Sequence, residues 1–182
     1  MKLGIYMGSF NPPHKGHIKV VNYLLDKKIV DKVLIIPTLS YWDKFDLVRI
    51  EDRINMLKLY ENNNISIDTK HNNLIYTIDL IKELEKIYND ELYIIIGSDN
   101  LINFDKWKDY KKLLKYKIIV MNRDDMDLDP YINKLGKNKF IILKDYPFIK
   151  ISSTEIRNNL NNKYLDKKVL DYIKEHNLYN LQ

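Results

Sequence analysis

No cysteine occurs in the 182 residues, so disulfides and thiolate zinc sites are excluded. Glycine and proline are scarce, at five each, which argues against disordered or low-complexity stretches. No apolar run approaches the roughly 20 residues that span a bilayer. The opening MKLGIYMGSF is interrupted too soon for a signal peptide, and a cytoplasmic protein is expected. Arginine is rare as well, standing only at Arg49, Arg53, Arg123 and Arg157 of a lysine-rich chain. A planar fork for phosphate or carboxylate is one reason to keep arginine where lysine abounds. Arg49 and Arg53, four apart on a predicted helix, fit a surface ion pair equally well. The net charge of +5 arises from lysines and acids scattered together, so it selects no partner by itself.

What is present is a regular rhythm. Short, mostly continuous apolar runs predict strands at Lys2–Met7, Lys32–Pro37, Ile65–Thr69, Leu92–Gly97, Lys117–Asn122 and Lys139–Lys144. Helical patterns fall near Lys15–Lys28, Arg49–Tyr60, Tyr76–Tyr88 and Phe104–Leu114, then at Ser153–Leu160 and Asp166–His176. This βαβα alternation predicts a doubly wound α/β sheet, read as a single domain over 1–182 with a helical tail from about 151. Ligands of such sheets bind beyond the carboxyl ends of the strands. Four segments therefore call for inspection: 8–17, 38–46, 97–107 and the approach to Ser152.

The first of these reads GSFNPPHKGH and leads straight into a helix. It matches neither G-x-G-x-x-G nor a Walker loop. Gly8 permits close approach of backbone amides to a ligand, and Pro12 and Pro13 stiffen the turn. His14 and His17 share a face of the first helical turn. Cations crowded at a helix N-terminus oppose its dipole, and a bound anion between helix and imidazoles would resolve the conflict. Two of the four histidines in one turn, with no cysteine to complete a zinc site, favour phosphate chemistry over a plain cap or a metal. The last segment, ISSTEIRNNL, begins with the capping box Ser152-x-x-Glu155 and sets Arg157 near the start of a helix. Again an anion would explain the cation there.

Together these stretches resemble the nicotinate and nicotinamide mononucleotide adenylyltransferases of the HxGH nucleotidyltransferase superfamily. GSFNPPHKGH is similar to their GG(T/S)FxPxHxGH signature, with Met7 in place of the first glycine, and ISSTEIR to their ISSTxIR motif. IIIGSDNLINFDKW resembles their IG(A/S)D…W stretch and IYTIDL their (S)YTxDT segment; DRINMLKLY and VLDYIKEHNLY extend the likeness over nearly the whole chain. The resemblance implies a Rossmann-like doubly wound parallel sheet with a small C-terminal helical extension. It implies transfer of the adenylyl group of ATP to nicotinate mononucleotide, giving deamido-NAD and pyrophosphate.

Its implied catalytic set is His14, His17, Lys44 and Arg157. ATP would meet Gly8, Ser9, Phe10, Gly97, Asp99, Ser152, Ser153 and Thr154. The acceptor would meet Thr77 and the indole of Trp107, a good platform for a flat, electron-poor ring. Mg²⁺ would bridge phosphate oxygens and need no carboxylate cage. Where relatives carry a PPHK loop this chain reads PTLSYWDKFDL, with only Lys44 matching. Sister transferases using nicotinamide mononucleotide or phosphopantetheine remain alternatives, as does a non-catalytic nucleotide or nucleic-acid binding module. No nucleic-acid partner is expected, since no recognition motif for RNA or DNA occurs, and no membrane partner, since no apolar run is long enough to span a bilayer.

Overall fold

A computed structural model describes residues 1–39, 47–144, 146–159 and 162–180. Six strands form one parallel sheet: β1 (Lys2–Gly8), β2 (Lys32–Pro37), β3 (Ile65–Ile67), β4 (Glu91–Gly97), β5 (Lys117–Met121) and β6 (Phe140–Leu143). Their order is β3-β2-β1-β4-β5-β6, so the direction of winding reverses between β1 and β4. That junction is where an open α/β sheet leaves a crevice. All six predicted strands are present. β3 stops short of Thr69 because the Asp68 carboxylate accepts the amides of Lys70 and His71, at 2.9 and 2.8 Å, and turns the chain.

Eight α-helices are described: α1 (Lys15–Asp26), α2 (Ile50–Lys58), α3 (Thr77–Ile87), α4 (Ser98–Ile102), α5 (Tyr110–Leu113), α6 (Asp129–Leu135), α7 (Ser153–Asn159) and α8 (Lys167–Glu175). The side chains of β1 alternate between two cores, as the pleat demands. Leu3 and Ile5 join Ile81, Leu84, Phe104, Leu113 and Ile132 on one face. Tyr6 joins Val20, Val21, Leu24 and Leu57 on the other. Each fully buried aliphatic side chain of this kind contributes roughly 1.5–3 kcal/mol. A third cluster packs Ile156, Leu165, Val169 and Ile173 of the C-terminal helices against Ile18 of α1 and Met56 of α2. The tail therefore lies over the first two helices rather than apart from them.

Two expectations need correction. The predicted helix Phe104–Leu114 is broken into a 3₁₀ turn at Phe104–Lys106 and the short α5. Trp107 is extended and Asp109 left-handed, at φ 51°, so no helix can run through. Helix α6 was not anticipated, although Pro130 in its first turn is a common helix-start residue. Among the described residues, no helix is long and apolar enough to cross a membrane.

Candidate active site

At the carboxyl end of β1 the chain turns through Ser9–Pro13 into α1. Phe10 adopts φ 47°, and its ring is buried against Tyr6 and His17, with centroids 5.2 and 4.9 Å apart. Phe10 can thus offer a ligand backbone but little side chain. His14 is the N-cap of α1, 2% exposed, and its Nδ1 accepts the amide of Gly16 at 3.0 Å. Nδ1 of His17 accepts the amide of His14 at 3.1 Å, closing a capping box built from two imidazoles. The rings stack at 3.7 Å. A Cβ on Gly16 would lie 2.8 Å from the His14 ring, so only glycine fits between the histidines.

Burial, and then the Arg123 guanidinium, lower the His14 pKa to about 4. Burial, His14 and Arg123 hold His17 well below its ordinary value. Both rings are neutral near pH 7. With each Nδ1 accepting an amide, the remaining proton sits on Nε2. The expected clash between imidazolium ions and the helix dipole is therefore absent: the helix start holds two neutral Nε2–H donors.

The second helix start docks on the same loop. The Ser152 hydroxyl accepts the amide of Glu155 at 3.1 Å, and the Glu155 carboxylate accepts that of Ser152 at 2.9 Å, the expected capping box. The Ser153 hydroxyl donates to the Pro12 carbonyl at 2.8 Å, and Ile151 sits close to Gly16. The Arg157 fork donates to the Asn11 carbonyl at 2.7 Å and to the Thr154 hydroxyl at 3.2 Å. Residues 141 and 146 positions apart in sequence thus meet over the end of β1.

Beside Gly8 a cavity of about 180 Å³ is lined by Thr77 and Trp107, with Leu74, Tyr76 and Asn100. Trp107 is half-buried and held against Phe104, with ring centroids 5.1 Å apart. Thr77 is the first residue of α3, whose N-cap residue, Tyr76, makes no side-chain cap bond. Gly97 ends β4 and precedes α4, and a Cβ on it would lie 2.5 Å from the exposed Asp99 carboxylate. Lys108 lies over the Tyr76 ring at 4.7 Å and bonds Asp79 at 3.0 Å. Lys44 and the altered loop around it lie outside the described residues.

Three residues of this region escaped the sequence reading. Arg53 is wholly buried, not paired at the surface: it donates to the carbonyls of Thr38 (2.7 Å), Ser9 (2.9 Å) and Val48 (3.1 Å). Only Arg49 forms the expected ion pair, with Asp52. Arg123 belongs to no motif, yet its charge acts on Tyr6, His14 and His17. No carboxylate among the described residues forms an ion pair with it. Asn11 is 1% exposed and receives bonds from Val48, Arg157 and Tyr179. Its place between two glycine-bearing segments was its only signal.

A parallel sheet of this order, with two capped helix starts meeting above its winding reversal, defines a nucleotidyltransferase-type site, and residues 5–159 match the family described as cytidylyltransferase-like. A relative from Fusobacterium nucleatum, named "Probable nicotinate-nucleotide adenylyltransferase", is 38% identical over 90% of this chain and 89% of its own. One of the same name from Acholeplasma laidlawii is 37% identical over 96% of each. The chain belongs to this cytidylyltransferase-like family, within its group of nicotinate-nucleotide adenylyltransferases. Its fold matches a structure of Plasmodium falciparum nicotinic acid mononucleotide adenylyltransferase complexed with NaAD. There the TM-score is 0.81 at 23% identity, covering 100% of this chain and 98% of that one.

Proposed function

We propose that this chain transfers the adenylyl group of ATP to nicotinate mononucleotide. A phosphate oxygen of the acceptor attacks the α-phosphorus in line. The bond to the β-phosphate bridging oxygen breaks, and pyrophosphate leaves with its electron pair, giving nicotinate adenine dinucleotide. The observation that carries this reading is the meeting of the His14–His17 pair with Arg157 on Asn11–Pro12, one step from the cavity holding Thr77 and Trp107.

Little covalent chemistry is required of the protein, which positions its partners and neutralises developing charge. The Nε2–H groups of His14 and His17 donate to the phosphates undergoing transfer. Arg157 and Lys44 neutralise the leaving group, with Arg123 adding charge from the β5 side. Backbone of Gly8, Ser9 and Phe10 and the start of α7 at Ser152, Ser153 and Thr154 hold the triphosphate, while Gly97 and Asp99 flank the adenosine. Trp107 stacks on the pyridine ring and Thr77 meets its carboxylate. Among the described residues no three His, Asp or Glu side chains gather to hold a metal. Mg²⁺ would supply further charge neutralisation when bound with ATP. The whole chain, tail included, acts as one unit in the cytoplasm, with nucleotides and not nucleic acid as its ligands.

The test is pyrophosphate release from Mg-ATP with nicotinate mononucleotide, beside nicotinamide mononucleotide and phosphopantetheine. Fast release with nicotinate mononucleotide is expected. Release with another acceptor alone would move the enzyme to a sister reaction, and silence with all three would overturn the assignment.

A further inference from the structure

Above the phosphate-facing loop, the end of the chain reaches back across 168 residues: the Tyr179 hydroxyl donates to Oδ1 of Asn11 at 2.6 Å. The same oxygen accepts the Val48 amide at 3.3 Å, and the Asn11 carbonyl accepts Arg157 at 2.7 Å. Arg53 grips the Val48 carbonyl at 3.1 Å and the Ser9 carbonyl at 2.9 Å. Burial, with a smaller contribution from Asp52, raises the Tyr179 pKa, while the guanidinium groups of Arg157 and Arg53 oppose the rise. Tyr179 sits at φ 60°, a region a bulky residue occupies only when its surroundings hold it there. Strain persists where structure over-determines it, and this strained residue points into the site rather than into solvent.

We propose that Tyr179 is a positioning residue for the adenylyl transfer: its hydroxyl fixes Asn11, and through Asn11 the aim of Arg157. The tail then does more than cover α1 and α2. Its packing cluster, with Leu165, Val169 and Ile173 on Ile18 and Met56, brings the tyrosine to the loop. Its hydroxyl sets the loop's geometry. This inference rests on the reading of Arg157 as a phosphate ligand.

The conservative variant Tyr179→Phe removes the hydroxyl and keeps the ring. In the full chain it is expected to lower kcat about tenfold to a hundredfold, the scale of a small misplacement remote from the reacting atoms. KM for nicotinate mononucleotide, bound at Thr77 and Trp107, stays unchanged, and so does the melting temperature within a few degrees. Arg157→Lys should cost less in the Tyr179→Phe background than in the native one, because both changes disturb one arrangement. A merely structural role predicts the reverse: a lower melting temperature, kcat unchanged and fully multiplicative effects. Either an unchanged kcat or full multiplicativity overturns the proposal. Should Tyr179→Phe not fold, Asn11→Ala removes the same bond together with the Val48 one, and its kcat and its coupling to Arg157→Lys are read by the same criteria.

Amide hydrogen exchange over residues 8–17, without nucleotide, separates this inference from the assignment of function. Should the native chain be silent with every acceptor, the functional reading falls alone. Faster exchange over 8–17 in Tyr179→Phe, with β2 and β5 unaltered, would still support the clasp, and unaltered exchange over 8–17 would remove it.

Discussion

Helices α1 and α7 both begin against Asn11–Pro12, and both are closed by a reciprocal capping box, but of different residues. On α1 the box is His14 and His17, of which His14 is almost wholly buried. On α7 it is Ser152 and Glu155, both exposed. The difference lies in how duties are shared. An imidazole has two nitrogens, so one ring can accept a backbone amide through Nδ1 and still present Nε2–H to a ligand. On α1 the same side chains cap the helix and, in the proposed function, face the phosphates. On α7 the Glu155 half of the box takes no part in the proposed anion contacts, which fall to Ser152, Ser153, Thr154 and Arg157. Stability and turnover should be inseparable at the first helix start and separable at the second.

The largest effect that would expose this is His17→Ala. Turnover should fall about a hundredfold to a thousandfold, as on removing one transition-state donor, and the lost cap should cost roughly 1 kcal/mol. Pyrophosphate release and a thermal melt measure the two. Near-normal turnover would take His17 out of the mechanism and leave it a cap.

Acid should strike the first helix start next. Folding lowers the His14 pKa from 6.5 to about 4, so between those values the unfolded chain binds a proton that the folded chain refuses. Its stabilising share is complete above the ordinary histidine range and is lost as pH falls. Between pH 7.5 and 5 this amounts to about 2 kcal/mol. Denaturant titrations at the two pH values should show the loss, and His14→Asn, which keeps a cap acceptor, should shrink it. An equal loss in that variant would assign the acid sensitivity elsewhere.

The smallest effect is Glu155→Ala, which opens the exposed box on α7. It should cost about 0.5–1 kcal/mol with kcat unchanged. A clear fall in kcat with the melting temperature preserved would erase the contrast between the helices.

The sheet was legible because its strands are continuous apolar runs covered on both faces, and local pattern suffices for that. Lys32–Pro37 is read to the residue. The candidate phosphate residues stand out in sequence for another reason: histidines and an arginine gather at two predicted helix starts, although the two histidines prove to be neutral. What stayed hidden depends on contacts far apart along the chain. That Arg53 is buried follows from carbonyls 15 and 44 residues away, and no periodicity reports them. Tyr179 acquires its role only across 168 residues. The break at Asp109 was missed because neither glycine nor proline marks it. The neutral state of the histidines needed burial and the nearness of Arg123, neither visible in GSFNPPHKGH.

The strand order also fixes when the site can come into being during translation. Chains fold as they emerge, N-terminal parts first. Once β5 has emerged, the nascent chain holds β3-β2-β1-β4-β5 and the histidine pair. It still lacks Arg157 and Tyr179, which close over a loop made 146 and 168 residues before them. A chain stalled before Ile151 therefore has all six strands and the histidine pair but none of the C-terminal donors to Asn11. The bonds that Arg157 and Tyr179 make to Asn11 are therefore added only after every strand of the sheet has been made.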